Sequence, residues 1–150
     1  MNIKTTRSIA ARLVVIGGLA ASGAATVSGV AGAGCTGKVF DAKSSNSTLY
    51  GTGCDDTFKL GQFANVTVYA GGGNDTVRAG FSGSSSYLYL EGGNDTVLNP
   101  NDNPVWVSAG AGNDTVTGSS GYDAYYGGSG TDRFINATPG DFYTEVELFG

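Results

Sequence analysis

Apolar and polar residues alternate in short runs along most of this chain. Val66-Thr67-Val68-Tyr69, Tyr87-Leu88-Tyr89-Leu90 and Val105-Trp106-Val107-Ser108 are three such runs. On a strand, that alternation sends one set of side chains inward and the other outward. A second short run follows each, of the type Asp75-Thr76-Val77-Arg78, and the pair recurs every 18 to 20 residues. Two short strands and two turns in that length make one coil of a flattened solenoid. In this register Leu49, Val68, Leu88, Val107 and Tyr125 stack down one inner face, and Phe58, Val77, Val97, Val116 and Phe134 down the other. The expected fold is all-β: a parallel β-solenoid (β-roll or β-helix) of about five short coils, about 4.8 Å apart. A Greek-key sandwich also suits short strands and many turns, but it does not require the same residues at every second turn.

The repeated residues are those of the turns. Ala70-Gly71-Gly72-Gly73-Asn74-Asp75-Thr76-Val77 returns as Glu91-Gly92-Gly93-Asn94-Asp95-Thr96-Val97 and as Gly110-Ala111-Gly112-Asn113-Asp114-Thr115-Val116. Gly51 to Phe58 and Gly127 to Phe134 are looser copies. Their aspartates fall at 56, 75, 95, 114 and 132. The set resembles the hemolysin-type (RTX) calcium-binding nonapeptide, Gly-Gly-x-Gly-x-Asp-x-apolar-x. Gly127, Gly128, Gly130, Asp132 and Phe134 match it in every defined place. Asp114, Asp123, Asp132 and Asp141 keep the nine-residue step itself. The resemblance covers residues 47–141 and implies a secreted β-roll that binds calcium ions.

The first 33 residues read as a leader outside the fold. Lys4, Arg7 and Arg12 precede an apolar run from Leu13 to Ala21, and small residues lead to Ala31-Gly32-Ala33. That is the layout of a secretory signal peptide, with Gly23-Ala24-Ala25 a second candidate for cleavage; the run is short for a bilayer span. The expected division is therefore a signal peptide at 1–33, an N-terminal cap at 34–46, the roll at 47–141 and a cap strand or tail at 142–150. Beyond residue 33 stand thirteen acidic and five basic residues, a net charge of −8. Such a balance argues against nucleic acid or anionic membrane as partner and favours cations. Export makes a Cys35–Cys54 disulfide the default pairing. Its rival is a lipid-modified Cys35, against which Gly32 counts because the lipoprotein pattern wants a large aliphatic there.

About 117 residues hold few large aliphatics, and glycine costs backbone entropy on ordering, so something beyond burial should hold the coils. Two stacked carboxylates about 4.8 Å apart repel by about 3 kcal/mol at an effective dielectric of 20. A divalent cation between successive turns reverses the sign. The expected ligands are Asp56, Asp75, Asp95, Asp114 and Asp132 with the turn carbonyls of Gly71, Gly73, Gly93, Gly110, Gly112, Gly128 and Gly130. Oxygen ligands in this number suit Ca²⁺ better than Mg²⁺, and the chain has no histidine to draw zinc or copper. Five turns allow up to four ions. Asp123 and Asp141 offer one further site on the opposite edge, whereas Gly80 to Ser85 reads as a plain turn and Asp102 as a loop residue. Asn74, Asn94 and Asn113 are read as serving turn conformation, and Thr76, Thr96 and Thr115 as outward strand residues; a threonine row could also meet ice.

These readings favour a secreted, non-enzymatic calcium-binding protein folded by Ca²⁺. The alternative is an extracellular adhesion or carbohydrate-binding module, its ligand surface formed by Tyr87, Tyr89 and Trp106 and its partner a cell-surface glycan or protein. Tyrosine ladders that merely stabilise a sheet are an equal account of those rings. An enzyme ranks third, because without histidine no Ser-His or Cys-His pair exists and a uniform column is not a glycosidase's acid and nucleophile. The acidic, apolar residues 141–150 suit either a C-terminal export signal or a last strand capping the solenoid.

Overall fold

The computed structural model describes residues 34–80 and 85–149, so the leader and most of the Gly80–Ser85 turn lie outside the described residues. Thirteen short strands alternate between two sheets. The seven-stranded sheet runs β1 (Val39–Asp41), β3 (Thr57–Lys59), β5 (Thr76–Arg78), β7 (Thr96–Leu98), β9 (Thr115–Thr117), β11 (Arg133–Ile135) and β13 (Glu147–Phe149). Facing it is a six-stranded sheet of β2 (Thr48–Thr52), β4 (Thr67–Gly71), β6 (Ser86–Tyr89), β8 (Val105–Ala111), β10 (Ala124–Ser129) and β12 (Phe142–Thr144). Every pairing among these strands is parallel. The fold is a parallel β-roll, and the sandwich alternative fails on that count.

Register follows the inward alternation. Leu49, Val68, Leu88, Val107 and Tyr125 pair in order on one sheet. Phe58, Val77, Val97, Val116 and Phe134 do so on the other. A one-residue slip would turn every one of these side chains outward, so burial fixes the pairing. The core is graded along its axis. Valine and leucine fill the middle coils, while larger rings close the ends: Phe40 stacks on Phe58 at 5.0 Å, and Phe134 meets Tyr125 and Tyr143 edge-on. Glycine makes room for those rings, since a Cβ at Gly51 would stand 2.8 Å from the Phe58 ring and one at Gly118 2.7 Å from Phe134.

Strands form at both ends of the roll. Phe40 covers the first coil, but Val39 is 61% exposed, because β1 joins the sheet with Phe40 as its inward residue. Residues 142–149 form β12 and β13, one strand in each sheet, and so extend the roll by another coil. Cys35 and Cys54 form a disulfide with their Cα atoms 5.5 Å apart, tying the segment before β1 to the first acidic turn. That engages the sulfur a lipid anchor on Cys35 would need.

Candidate metal centre

The carboxylate column lies where β2, β4, β6, β8 and β10 turn into the strands of the opposite sheet. Asp56, Asp75, Asp95, Asp114 and Asp132 are each 1% exposed. Their stacking is hydrogen-bonded as well as geometric. The backbone N–H of Asp56 donates to Asp75 Oδ1 at 2.6 Å, Asp75 to Asp95 at 2.6 Å, Asp95 to Asp114 at 2.7 Å and Asp114 to Asp132 at 2.9 Å. A second ladder beside it runs in the opposite sense. Asn94 N–H donates to Asn74 Oδ1, Asn113 to Asn94 and Thr131 to Asn113. The asparagines thus secure the turns by bonding across coils. None of the three adopts the left-handed backbone that turn conformation alone would have drawn on.

Oδ1 is therefore satisfied throughout the column, and Oδ2 divides it. On Asp75, Asp95, Asp114 and Asp132 the Oδ2 atom is buried with no hydrogen-bond partner, and the Tyr125 hydroxyl shares that condition. Asp56 differs, because Thr52 donates to its Oδ2 from both its N–H, at 2.7 Å, and its hydroxyl, at 2.8 Å. Glycine shapes the space between turns. A side chain at Gly93, Gly112 or Gly130 would overlap the carbonyl oxygen of Gly73, Gly93 or Gly112, one coil earlier. All four of these glycines hold positive φ, from 108° to 145°, which L side chains adopt only at a cost. The Gly71–Gly110–Gly128 column has the same backbone, but its second coil carries Glu91 at φ 73°.

Burial sets the protonation of the column. Loss of solvent pushes Asp75 up to about 7, Asp95 to about 8 and Asp114 to about 6. The N–H bond from the preceding coil opposes the rise, and neighbouring carboxylates add to it. No group of three or more His, Cys, Asp or Glu side chains converges among the described residues. A cation here must draw its remaining ligands from carbonyls. Anionic oxygens one coil apart, with glycine turns bringing carbonyls alongside, are a hard-oxygen set of the kind Ca²⁺ takes, and the orphaned Oδ2 atoms fit that ion.

The opposite edge carries the same position without the same charge. Register runs from Val66 through Ser86 and Val105 to Asp123 and Asp141. Val105 N–H donates to Asp123 Oδ1, and Asp123 N–H to Asp141 Oδ1, as in the main column. Here both carboxylates are complete. Ser119 N–H bonds Asp123 Oδ2, and Thr138 bonds Asp141 Oδ2 from its N–H and hydroxyl. Buried Asn99 adds its Nδ2 to Asp123 Oδ1 at 3.3 Å. Burial still raises the Asp123 carboxyl above its ordinary range, against the pull of those donors. Asp102 is an exposed loop residue, as expected, and takes the Ser120 hydroxyl.

Thr52, Ser119, Thr138 and Asn99 were missed by sequence reasoning, although a signal existed for the first two. A hydroxyl residue stands four positions before Asp56 and Asp123, where Asp75, Asp95, Asp114 and Asp132 have Gly71, Glu91, Gly110 and Gly128.

Fold and column together define a parallel β-roll with stacked, inward-facing carboxylates on Gly-rich turns. The family model of the RTX calcium-binding nonapeptide repeat (four copies) matches residues 39–66, 60–81 and 106–134. The chain accordingly carries hemolysin-type RTX calcium-binding nonapeptide repeats over these segments. No curated protein and no solved structure matches it.

Proposed function

We propose that this is a secreted, non-enzymatic protein whose roll is completed by calcium along one edge. The observation that carries the reading is the run of four buried, unpartnered Oδ2 atoms on Asp75, Asp95, Asp114 and Asp132. Leaving such atoms unpaired costs about 1–3 kcal/mol each, and more when charged. Bound Ca²⁺ would supply the positive charge that lets adjacent carboxylates stay ionised. The three gaps between these four aspartates are the sites we assign, with carbonyls of the intervening glycines, Gly73, Gly93 and Gly112 among them, as further ligands. Asp56, Asp123 and Asp141 stand outside that set, because chain donors already hold both of their oxygens.

Binding free energy then becomes part of folding free energy. Extracellular calcium modules work at about 10⁻⁴–10⁻³ M, so the chain would be loose where calcium is scarce and folded outside the cell. The Cys35–Cys54 disulfide and the leader-like first 33 residues support export. The deciding experiment is far-UV circular dichroism of residues 34–150, disulfide intact, during a calcium titration with magnesium as control. A cooperative gain of β signal with calcium, weakened by D95N/D114N, supports the reading. A chain folded in chelator and unmoved by calcium refutes it.

A further inference from the structure

The outward face of the six-stranded sheet carries two aromatic rows of different character. In the first, Tyr50, Tyr69 and Tyr89 stack face to face, with centroids 5.4 and 5.0 Å apart and planes within 9°. Each ring is the next one's neighbour, and such a ladder is sufficiently explained by sheet stability. The next rung is Ser108, followed by Tyr126. One ring is missing from an otherwise regular stack. Tyr89 and Tyr126 therefore stand two coil spacings apart, about 9.6 Å, across an exposed serine. In the second row Tyr87 and Trp106 are partners, and Trp106 leans diagonally towards Tyr126 of the first row, whose far side meets Phe142. Both Trp106 pairs lie at 6.3 Å with planes 46° and 39° apart, so these rings do not stack face to face. The result is a groove of about 210 Å³ lined by Tyr87, Tyr89, Trp106, Ser108 and Tyr126 over Leu88 and Val107. It is smaller than the clefts of about 300–1,000 Å³ that enclose drug-sized ligands, and it suits one ring.

Charge narrows the occupant. No Asp, Glu, Lys or Arg lies in any strand of this sheet. The other sheet carries Asp41, Lys59, Arg78, Arg133 and Glu147. On an acidic chain an uncharged patch selects an uncharged ligand. The walls are almost wholly ring faces, and the side chains that form them also carry the Ser108 hydroxyl, the phenols of Tyr87, Tyr89 and Tyr126 and the Trp106 N–H. A pyranose has the matching form, apolar C–H faces within a rim of hydroxyls; a plain hydrophobe would leave the hydroxyls unused.

We infer that the gap over Ser108 binds one pyranose ring of a neutral glycan, with Tyr89 and Tyr126 on either side and Trp106 alongside. The test uses the calcium-saturated full chain. Trp106 is the one tryptophan in the sequence, so its fluorescence reports the groove directly. Cellohexaose, laminarihexaose and mannohexaose are the probes, and hexagalacturonate is the charged control. At least one neutral hexasaccharide should shift the emission saturably. S108Y, which restores the missing rung, should weaken that binding at least tenfold while keeping the melting temperature. Y126A, read by calorimetry, should weaken it comparably and serves if S108Y fails to fold. The proposal fails if no neutral probe binds, if S108Y and Y126A bind unchanged, or if hexagalacturonate binds as well as the neutral probes. It also fails if sedimentation shows a dimer that S108Y disperses, for then a second copy fills the groove.

Discussion

The two edges of this roll use one hydrogen-bonding scheme and differ in what completes it. On both, a backbone N–H from one coil donates to the aspartate Oδ1 of the next. On the Asp123 edge the chain itself supplies the remaining donors, and upstream coils replace the carboxylate with buried Val66, Ser86 and Val105. On the Asp75–Asp132 edge four oxygens are left over. Stacking buried carboxylates is thus compatible with the coil geometry, and the second oxygen decides whether a cation is called for. Thr52 shows how small the difference is. Four residues before Asp56 it lacks the positive φ of Gly71, Glu91, Gly110 and Gly128, and its N–H and hydroxyl both close Oδ2.

The largest effect expected from this contrast is calcium's. At 100-fold excess over its dissociation constant, each independent site adds about 2.7 kcal/mol. Calcium should therefore raise the melting temperature of the chain steeply, and D95N/D114N should remove most of that rise. Differential scanning calorimetry in calcium and in chelator measures both.

Acidity should act next, with opposite signs in the two states. Asp75, Asp95 and Asp114 titrate at about 7, 8 and 6 in the fold, against about 3.9 when unfolded. Folding of the calcium-free chain takes up protons within that window, so stability is fullest below about pH 4 and declines as pH rises towards 8. With calcium bound the carboxylates are held ionised, and stability should instead fall as pH drops and protons compete. Urea midpoints at pH 4.5 and pH 8, with and without calcium, should cross over.

The other edge should ignore the ion. D123A leaves the N–H groups of Val105 and Ser119 without their acceptor, while the Asn99 amide keeps Asn103 O and Ser119 Oγ. A loss of about 2–4 kcal/mol is expected from those charge-assisted bonds. The loss should be the same in calcium and in chelator, measured as paired urea denaturations. A calcium-dependent loss would place an ion on this edge as well.

The smallest effect is a gain. Glu91 holds a left-handed backbone where the equivalent residues of the coils on either side are Gly71 and Gly110, which costs an ordinary residue about 1–2 kcal/mol. E91G should return about 1 kcal/mol after glycine's greater unfolded entropy, visible in the thermal midpoint in either state.

By itself the sequence determined the coil period, the two inner stacks and the position of the aspartate column. The reason is that a strand alternates with period two, and a solenoid lays equivalent residues over one another. It did not reveal that the tail adds a coil, because Phe142-Tyr143-Thr144 lacks the Gly-Asn-Asp turn that marked the others. Nor did it show that the asparagines form a ladder, or which aspartates keep an oxygen free. Those outcomes depend on where backbone N–H groups point within a turn, and the same Gly-x-Asp spelling serves several directions. The gap over Ser108 is a tertiary fact of the same kind. A serine at the end of Val105-Trp106-Val107-Ser108 is unremarked in a linear reading, and becomes a missing rung only when Tyr89 and Tyr126 are brought to either side of it.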